Sequence, residues 1–496
     1  MSDLPANSPR MMRLLNCEAV LRHALDAAQI TAGDVMEITS LTRATVLGVF
    51  SDLVAQGWLE ELSESGPVPT VRGGRPAKLY QVPSGAGLLV GLDAGEHRMR
   101  AAVTDLRGER RVTRHVVLDA GIVTGRSEEG PGADGGDTGS GGGSDAGVSS
   151  CPSGGSGAER RDASWDPQEV ARERRAAAGK LVAGLLDEIG ARPEDVLLSV
   201  VGVPAPVDVN GQSPTGDRGF WAGMNPGFAD VLPGRVVVEN DANLAAIAEH
   251  ARLLKDDGVG SGDDNPSGSS GDSGRDGAIG NVATLLSGER LGAGLIVDGR
   301  LLRGARGGAG ELRALDLIGD AGSSYGFGAL ARQWAQEMVA AHRGNRNPDG
   351  QPKSDGDGDG DGDGDGDGQS YGKDDGEFFP LPDDGHIGAE WVFEAATHGD
   401  PRAQEIIERL GKRLATVALV VGTLLDVSKV VIAGALADAA EPVIQAAREQ
   451  VIGKHYPPVP EIVASRLGGD VVVHGAIEQA RNLLRADPLS FTPAGG

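Results

Sequence analysis

Five consecutive residues, Glu239-Asn240-Asp241-Ala242-Asn243, put two carboxylates and two amides side by side. A carboxylate at Asp241 can take a proton from a hydroxyl or simply hydrogen-bond it. Asn and Asp are also favoured helix caps, so chemistry and capping compete for the same residues. Val236-Val237-Val238 before the cluster reads as a short buried strand, and Leu244 to His250 after it as a helix. Polar residues between a strand's carboxyl end and a helix sit where open α/β sheets place ligands. Three glycine turns could let the backbone come close to a ligand. They are Asp93 and Gly95 after the strand at Gly87, Gly292 and Gly294 within Gly288–Gly294, and Gly434 after Val430-Val431-Ile432. A plain turn or hairpin explains each in isolation. Glu311 closes a further glycine run, Gly307-Gly308-Ala309-Gly310.

A second group of residues suits another task. Helices are predicted from Met11 to about Gln29, from Ala32 to Ile38, and from Thr42 to Gln56, the last with Val46, Val49, Phe50 and Leu53 inward. Thr39-Ser40-Leu41 is a tight turn, so the second and third helices form a candidate helix-turn-helix. Thr42 caps the third helix, and Arg43 and Thr45 project from its first turn, the end that meets base edges in such modules. Strands at Gly57–Glu61 and Lys78–Val82 flank Arg72-Gly73-Gly74-Arg75-Pro76, a basic wing ending at Lys78. Residues 1–83 hold seven Lys/Arg against nine Asp/Glu. Phosphate neutralisation supplies most non-specific affinity, so Arg43, Arg72, Arg75 and Lys78 must act by position, doubled in a dimer.

The bulk numbers bound the rest. The formal net charge of −26 argues against a generic polyanion binder but not against a small DNA-binding module. Two cysteines, Cys17 and Cys151, make neither a disulfide framework nor a thiolate zinc site. The start lacks a signal pattern, and the longest apolar run, Leu414 to Leu425, is too short for a membrane span. A cytoplasmic protein is expected. Residues 123–165, 255–277 and 343–378 are rich in Gly, Ser and Asp, with Asp-Gly repeats at 354–368, and are predicted to be disordered insertions. A helix is predicted at Pro167–Gly190, a strand at Val196–Val201, a helix at Pro401–Leu425, a final strand–helix pair over Val471–Arg485, and a loose tail at 487–496.

Several stretches carry a family resemblance. LTRATVLGVFSDLVAQGWLEE with GGRPAKLY resembles the winged helix of bacterial regulators, with Ser40 where that turn usually has Gly. ENDAN, LGAGLIVDGRLLRG and GGAGE, in this order, resemble the ROK (repressor, open reading frame, kinase) family, and the winged helix selects its NagC/XylR-type transcriptional regulators. The resemblance implies an α/β fold: a winged helix-turn-helix over 1–83, then a two-lobed actin-like, sugar-kinase domain over 84–486. It implies that Asn240, Asp241 and Glu311 bind sugar hydroxyls, Asp241 being the base in the kinases. It also marks departures. Ala314 and Ala331 replace a family His and Glu that touch sugar. The zinc segment falls on Gly322–Ala331, with Gly322, Ser324 and Ala329 in place of cysteines, so no zinc is expected. Glu96 and His97 stand at the first phosphate turn, where a carboxylate would repel phosphate, and Gly434 lies between alanines, so ATP is not expected. The implied partners are a double-stranded DNA operator, a sugar or sugar-phosphate effector and a second copy of the chain, with no membrane. The competing expectations are an ATP-dependent sugar kinase with a DNA-binding head, and a head that contacts only protein.

Overall fold

The computed structural model describes residues 8–62, 77–118, 166–216, 219–256, 280–312, 324–344, 379–380, 387–451 and 459–494. Its amino-terminal head is built from local signals. Helix α1 (Pro9–Asp26) starts on a Ser8 cap with Pro at its first turn. After β1 (Ile30–Thr31), α2 (Ala32–Thr39) opens with a capping box between Thr31 and Asp34. Ser40 ends α2 in the left-handed region at φ 56°, and the chain then bends by 115° into α3 (Arg43–Ala55). Val46, Val49, Phe50 and Leu53 of α3 are buried as expected. Strands β2 (Glu60–Glu61) and β3 (Leu79–Gln81) complete a small sheet in the order β1-β3-β2. Its core is continuous with the next domain, because Trp58, Tyr80, Val82 and Ala86 share one apolar cluster with Leu89 and Leu198.

Two five-stranded sheets follow. The first runs β6-β5-β4-β7-β8, made of β4 (Leu88–Ala94), β5 (Arg98–Asp105), β6 (Arg110–Val117), β7 (Val196–Val203) and β8 (Arg235–Asn240). The helices α4 (Pro167–Glu188) and α5 (Phe220–Met224) cover one face. β7 is buried throughout, as a strand covered on both faces must be. The second sheet runs β11-β10-β9-β12-β13 and consists of β9 (Val282–Ser287), β10 (Leu291–Val297), β11 (Arg300–Leu301), β12 (Lys429–Ala433) and β13 (Glu461–Ala464). Its helices are α7 (Phe327–Gly344), α8 (Ala389–Thr397), α9 (Pro401–Leu425) and α10 (Glu441–Val451). Two more helices pack on each other between the sheets, α6 (Asp241–Asp256) against β9 and β10, and α11 (Val471–Ala486) against β4 and β7. The hairpin at Asp298-Gly299 has φ 51° and 70°, the positive pair that a tight two-residue turn requires.

Four expectations need correction. Val471-Val472-Val473 is not a strand but the first turn of α11, all three residues buried. A helix end enclosed on every side loses the polar face that marks its period. The tail is not loose as far as 494. Pro488–Ser490 forms a 3-10 turn, Leu489 and Phe491 join the apolar cluster under the head, and Ala494 N–H donates to the Ala86 carbonyl at 2.8 Å. Two strands went unpredicted: β6 is a charged edge strand, and β13 a four-residue one. Helix α6 reaches Asp256 and α7 reaches Gly344, so each insertion expected at 255 and 343 begins two residues later. The remainder of those insertions, and 123–165, lies outside the described residues. No single helix among the described residues is long and apolar enough to cross a membrane.

Candidate functional site

The carboxyl ends of β4, β7 and β8 lie side by side and carry the polar residues. Asp93 pairs with Gly202, and Gly202 with Glu239. Asp241 begins α6 immediately after β8. Across the cleft, Glu311 bridges to Gly292 on β10, and a Cβ on Gly292 would lie 3.2 Å from that of Ala242. The fold therefore gathers Asp93, Asp241 and Glu311 from three separate segments around one cleft.

Their electrostatics follow from that crowding. Asp241 is pushed up to about 8, first by burial, then by the Asp93 charge and more weakly by Glu311. Its own Oδ1 accepts from Ala242 N–H at 2.8 Å, which works the other way. Burial lifts Asp93 to about 6, opposed by Arg100, Arg98 and Arg174. Glu311 keeps an exposed surface at the cleft mouth, yet neighbouring atoms strip enough water to raise it, against the pull of Arg290. A ligand hydroxyl placed here meets both a protonated carboxyl able to donate and carboxylates able to accept.

Asn240 fills a different role from its neighbour. Its Oδ1 accepts from Asn243 N–H at 3.0 Å, the bond of a helix cap, and its Nδ2 donates to the Ala205 carbonyl at 3.1 Å. Adjacent residues thus differ: Asn240 caps α6, and Asp241 is half-buried beside it.

The glycine turns serve packing. Gly292 and Gly294 lie inside β10 rather than in a turn, and a Cβ on Gly294 would meet the Ala242 carbonyl oxygen at 2.1 Å. These glycines let α6 lie directly on the strand. Gly434 follows β12 at φ 102°, with the Ser287 carbonyl oxygen 2.8 Å from where a Cβ would be. At the β4–β5 turn, Arg174 of α4 donates to the carbonyls of Ala94 at 2.5 Å and Gly95 at 2.9 Å. Arg174 is fully buried, and desolvation lowers it to about 10 although Glu96 and Asp93 oppose this. The loop tip is thus bound from behind by a protein cation. Sequence reasoning missed Arg174, yet it stands on the apolar stripe Val170, Ala178, Leu181 and Leu185, where a charge signals a partner.

Ala331 is buried in the apolar core of the second lobe, and Ala329 is buried two residues before it. No group of three or more His, Cys, Asp or Glu residues able to hold a metal occurs among the described residues. Ala314 and Gly322 lie outside the described residues.

In the head, Thr42 Oγ1 accepts from Thr45 N–H at 3.3 Å, and Arg43 is exposed beside it. Lys78 pairs with Glu61 across β2 and β3. Arg72 and Arg75 lie outside the described residues.

Two opposed five-stranded sheets with paired helices between them define the two-lobed sugar-kinase, actin-like α/β fold. Residues 382–482 match the ROK family profile. No curated protein sequence matches significantly. Among solved structures, the chain is similar to a ROK family transcriptional regulator, a homologue of the E. coli MLC protein, at 17% identity, covering 96% of this chain and 99% of that one with a TM-score of 0.56. It is also similar to a ROK family glucokinase from Streptomyces griseus, solved with glucose and AMPPNP, at 21% identity, 80% and 100% coverage and a TM-score of 0.50. The family match is thus confined to residues 382–482, and the fold of the chain is similar to that of a ROK transcriptional regulator.

Proposed function

We propose that the protein is a cytoplasmic DNA-binding transcriptional regulator, a repressor of carbohydrate metabolism, with an amino-terminal winged helix-turn-helix. The observation that carries this reading is the head. Helices α2 and α3 meet at 115°, within the range of helix-turn-helix units, and the capped amino end of α3 presents Arg43 and Thr45 away from the core. The match to the ROK regulator extends over 96% of the chain, so it takes in most of the head as well as the lobes. Two copies would set two α3 helices into successive major grooves, with Arg72, Arg75 and Lys78 on the backbone. A sugar or sugar phosphate between Asp241 and Glu311 would shift the balance between DNA-competent and DNA-incompetent dimers. Neither ATP nor zinc enters this reading.

Genomic footprinting with and without candidate sugars tests it. Arg43→Ala should weaken occupancy of the protected sites about tenfold, the loss of roughly 1–3 kcal/mol expected for one base or phosphate contact. Protection that is indifferent to Arg43→Ala and Arg75→Ala would remove DNA from the account. Retention of Asp241 and Glu311 favours one second reading, an ATP-dependent sugar kinase with an added DNA-binding head. ATP consumption over a hexose panel, abolished by Asp241→Asn, would establish that reading instead.

A further inference from the structure

The buried carboxylate of Glu239 is left over from this account. It is 4% exposed, is the last residue but one of β8, and faces a partner in each lobe. Its Oε1 accepts from Asn240 N–H at 3.0 Å and from Asn243 Nδ2 at 2.9 Å, fixing the first turn of α6, where Asp241 stands. Its Oε2 accepts from Arg303 Nε at 2.7 Å. Arg303 follows β11 in the second lobe and starts the loop that ends at Glu311. The Arg303 carbonyl accepts from Ala309 N–H at 3.2 Å, and the Gly310 carbonyl from Ala293 N–H at 3.0 Å. A second arginine of that lobe, Arg290, sets its guanidinium carbon 4.8 Å from the centroid of the Phe220 ring in the first lobe. One carboxylate therefore holds the turn carrying Asp241 and, through Arg303, the loop carrying Glu311.

We infer that Glu239 is a positioning residue that sets the spacing between Asp241 and Glu311, and with it which ring the cleft accepts. This rests on the reading that the cleft binds a hydroxylated ligand. Burial makes the pair an effective tie, since a carboxylate cut off from water depends on the partners it has. Glu239 touches no ligand itself; it acts through Arg303 and the α6 amides.

Amide hydrogen exchange on the full-length protein, without sugar or DNA, tests the tie. Glu239→Gln, a first-lobe substitution, should speed exchange in the second-lobe loop at Ala309, Gly310 and Glu311 about tenfold. Arg303→Met should speed exchange at Asn240 and Asn243 in the first lobe at least threefold. The double variant should be no faster than the worse single, and Arg303→Lys should stay near the parent rate. Unchanged exchange at 309–311 in Glu239→Gln overturns the inference. So does acceleration spread evenly over β4 and β12, the mark of a carboxylate that merely stabilises. If Glu239→Gln does not fold, Arg303→Met decides alone, because Arg303 is half-buried and tolerates truncation better. Failure here leaves the footprinting result intact, and loss of DNA binding leaves this exchange pattern intact.

Discussion

The two lobes share one strand plan and differ in what stands at the strand ends. Each sheet has two antiparallel edge pairings and then two parallel ones, in the orders β6-β5-β4-β7-β8 and β11-β10-β9-β12-β13. In the first lobe the strand ends carry Asp93, Glu239 and Asn240, with Asp241 next. In the second, β9 ends on Ser287 and β12 on Ala433, with Gly434 beyond. One topology thus supports two tasks. The first lobe accumulates carboxylates at a cost in solvation, and the second presents small residues that let backbone come close. The carboxylates gather at the strand ends of the first lobe, with Glu311 facing them from the second, and the second lobe's Gly294 and Gly434 stand against backbone oxygens.

The sharpest way to break this comparison is Gly294→Ala. The new methyl would be driven into the Ala242 carbonyl, a backbone atom that cannot turn aside. Overpacking of this kind costs about 3 kcal/mol, so chemical denaturation should show a large loss of stability with no ligand present. A Gly294→Ala protein as stable as its parent would mean that the glycine is kept for a ligand and that the second lobe has its own chemistry.

The first lobe makes the complementary prediction, through pH. Asp241 at about 8 and Asp93 at about 6 both lie above the value of an aspartate in an unfolded chain. The folded state therefore binds more protons than the unfolded state between about pH 4 and 8. Stability must fall as pH rises through that window. Some water still reaches the half-buried Asp241, so the loss from pH 5 to 9 is expected to be on the order of 2 kcal/mol. Asp241→Asn should flatten the upper part of the curve and raise the melting temperature at pH 8. Superimposable pH–melting curves for parent and variant would show that the cleft carboxylates are not crowded, and the contrast between lobes would lose its electrostatic basis.

What could be read in the sequence follows the range of the forces involved. The cap at Thr42 and the strand before Asp241 are set by near neighbours, and their residue types announce them. The family resemblance was legible because ENDAN, LGAGLIVDGRLLRG and GGAGE stand in a recognisable order. The functions of Glu239 and Arg174 were not. Glu239 meets Arg303 64 residues away, and Arg174 meets the Ala94 carbonyl 80 residues away. No local rule selects those partners. Gly292 and Gly294 misled for the same reason: a glycine that admits a phosphate and one that admits a helix look alike until the helix is in place. The buried start of α11 looked like a strand because β4, β7 and α6, all distant in sequence, enclose it together.

The smallest predicted effect lies in the head, where the same backbone logic can be tested away from the cleft. Ser40, Asp298 and Asp426 are the non-glycine residues at positive φ among those described. Asp298 and Asp426 have the short polar side chain that tolerates the left-handed region best, whereas Ser40, which ends α2 at φ 56°, does not. Ser40→Gly removes the Cβ strain but loosens the unfolded chain, so the net gain should be only about 0.5–1 kcal/mol. It should appear as a slightly higher denaturation midpoint with the slope unchanged. Because Ser40 sets the angle between α2 and α3, the variant should also keep its footprint. A gain in stability accompanied by lost protection would mean that the strained serine is retained to aim α3, and that small residues serve function in the head where in the second lobe they serve packing.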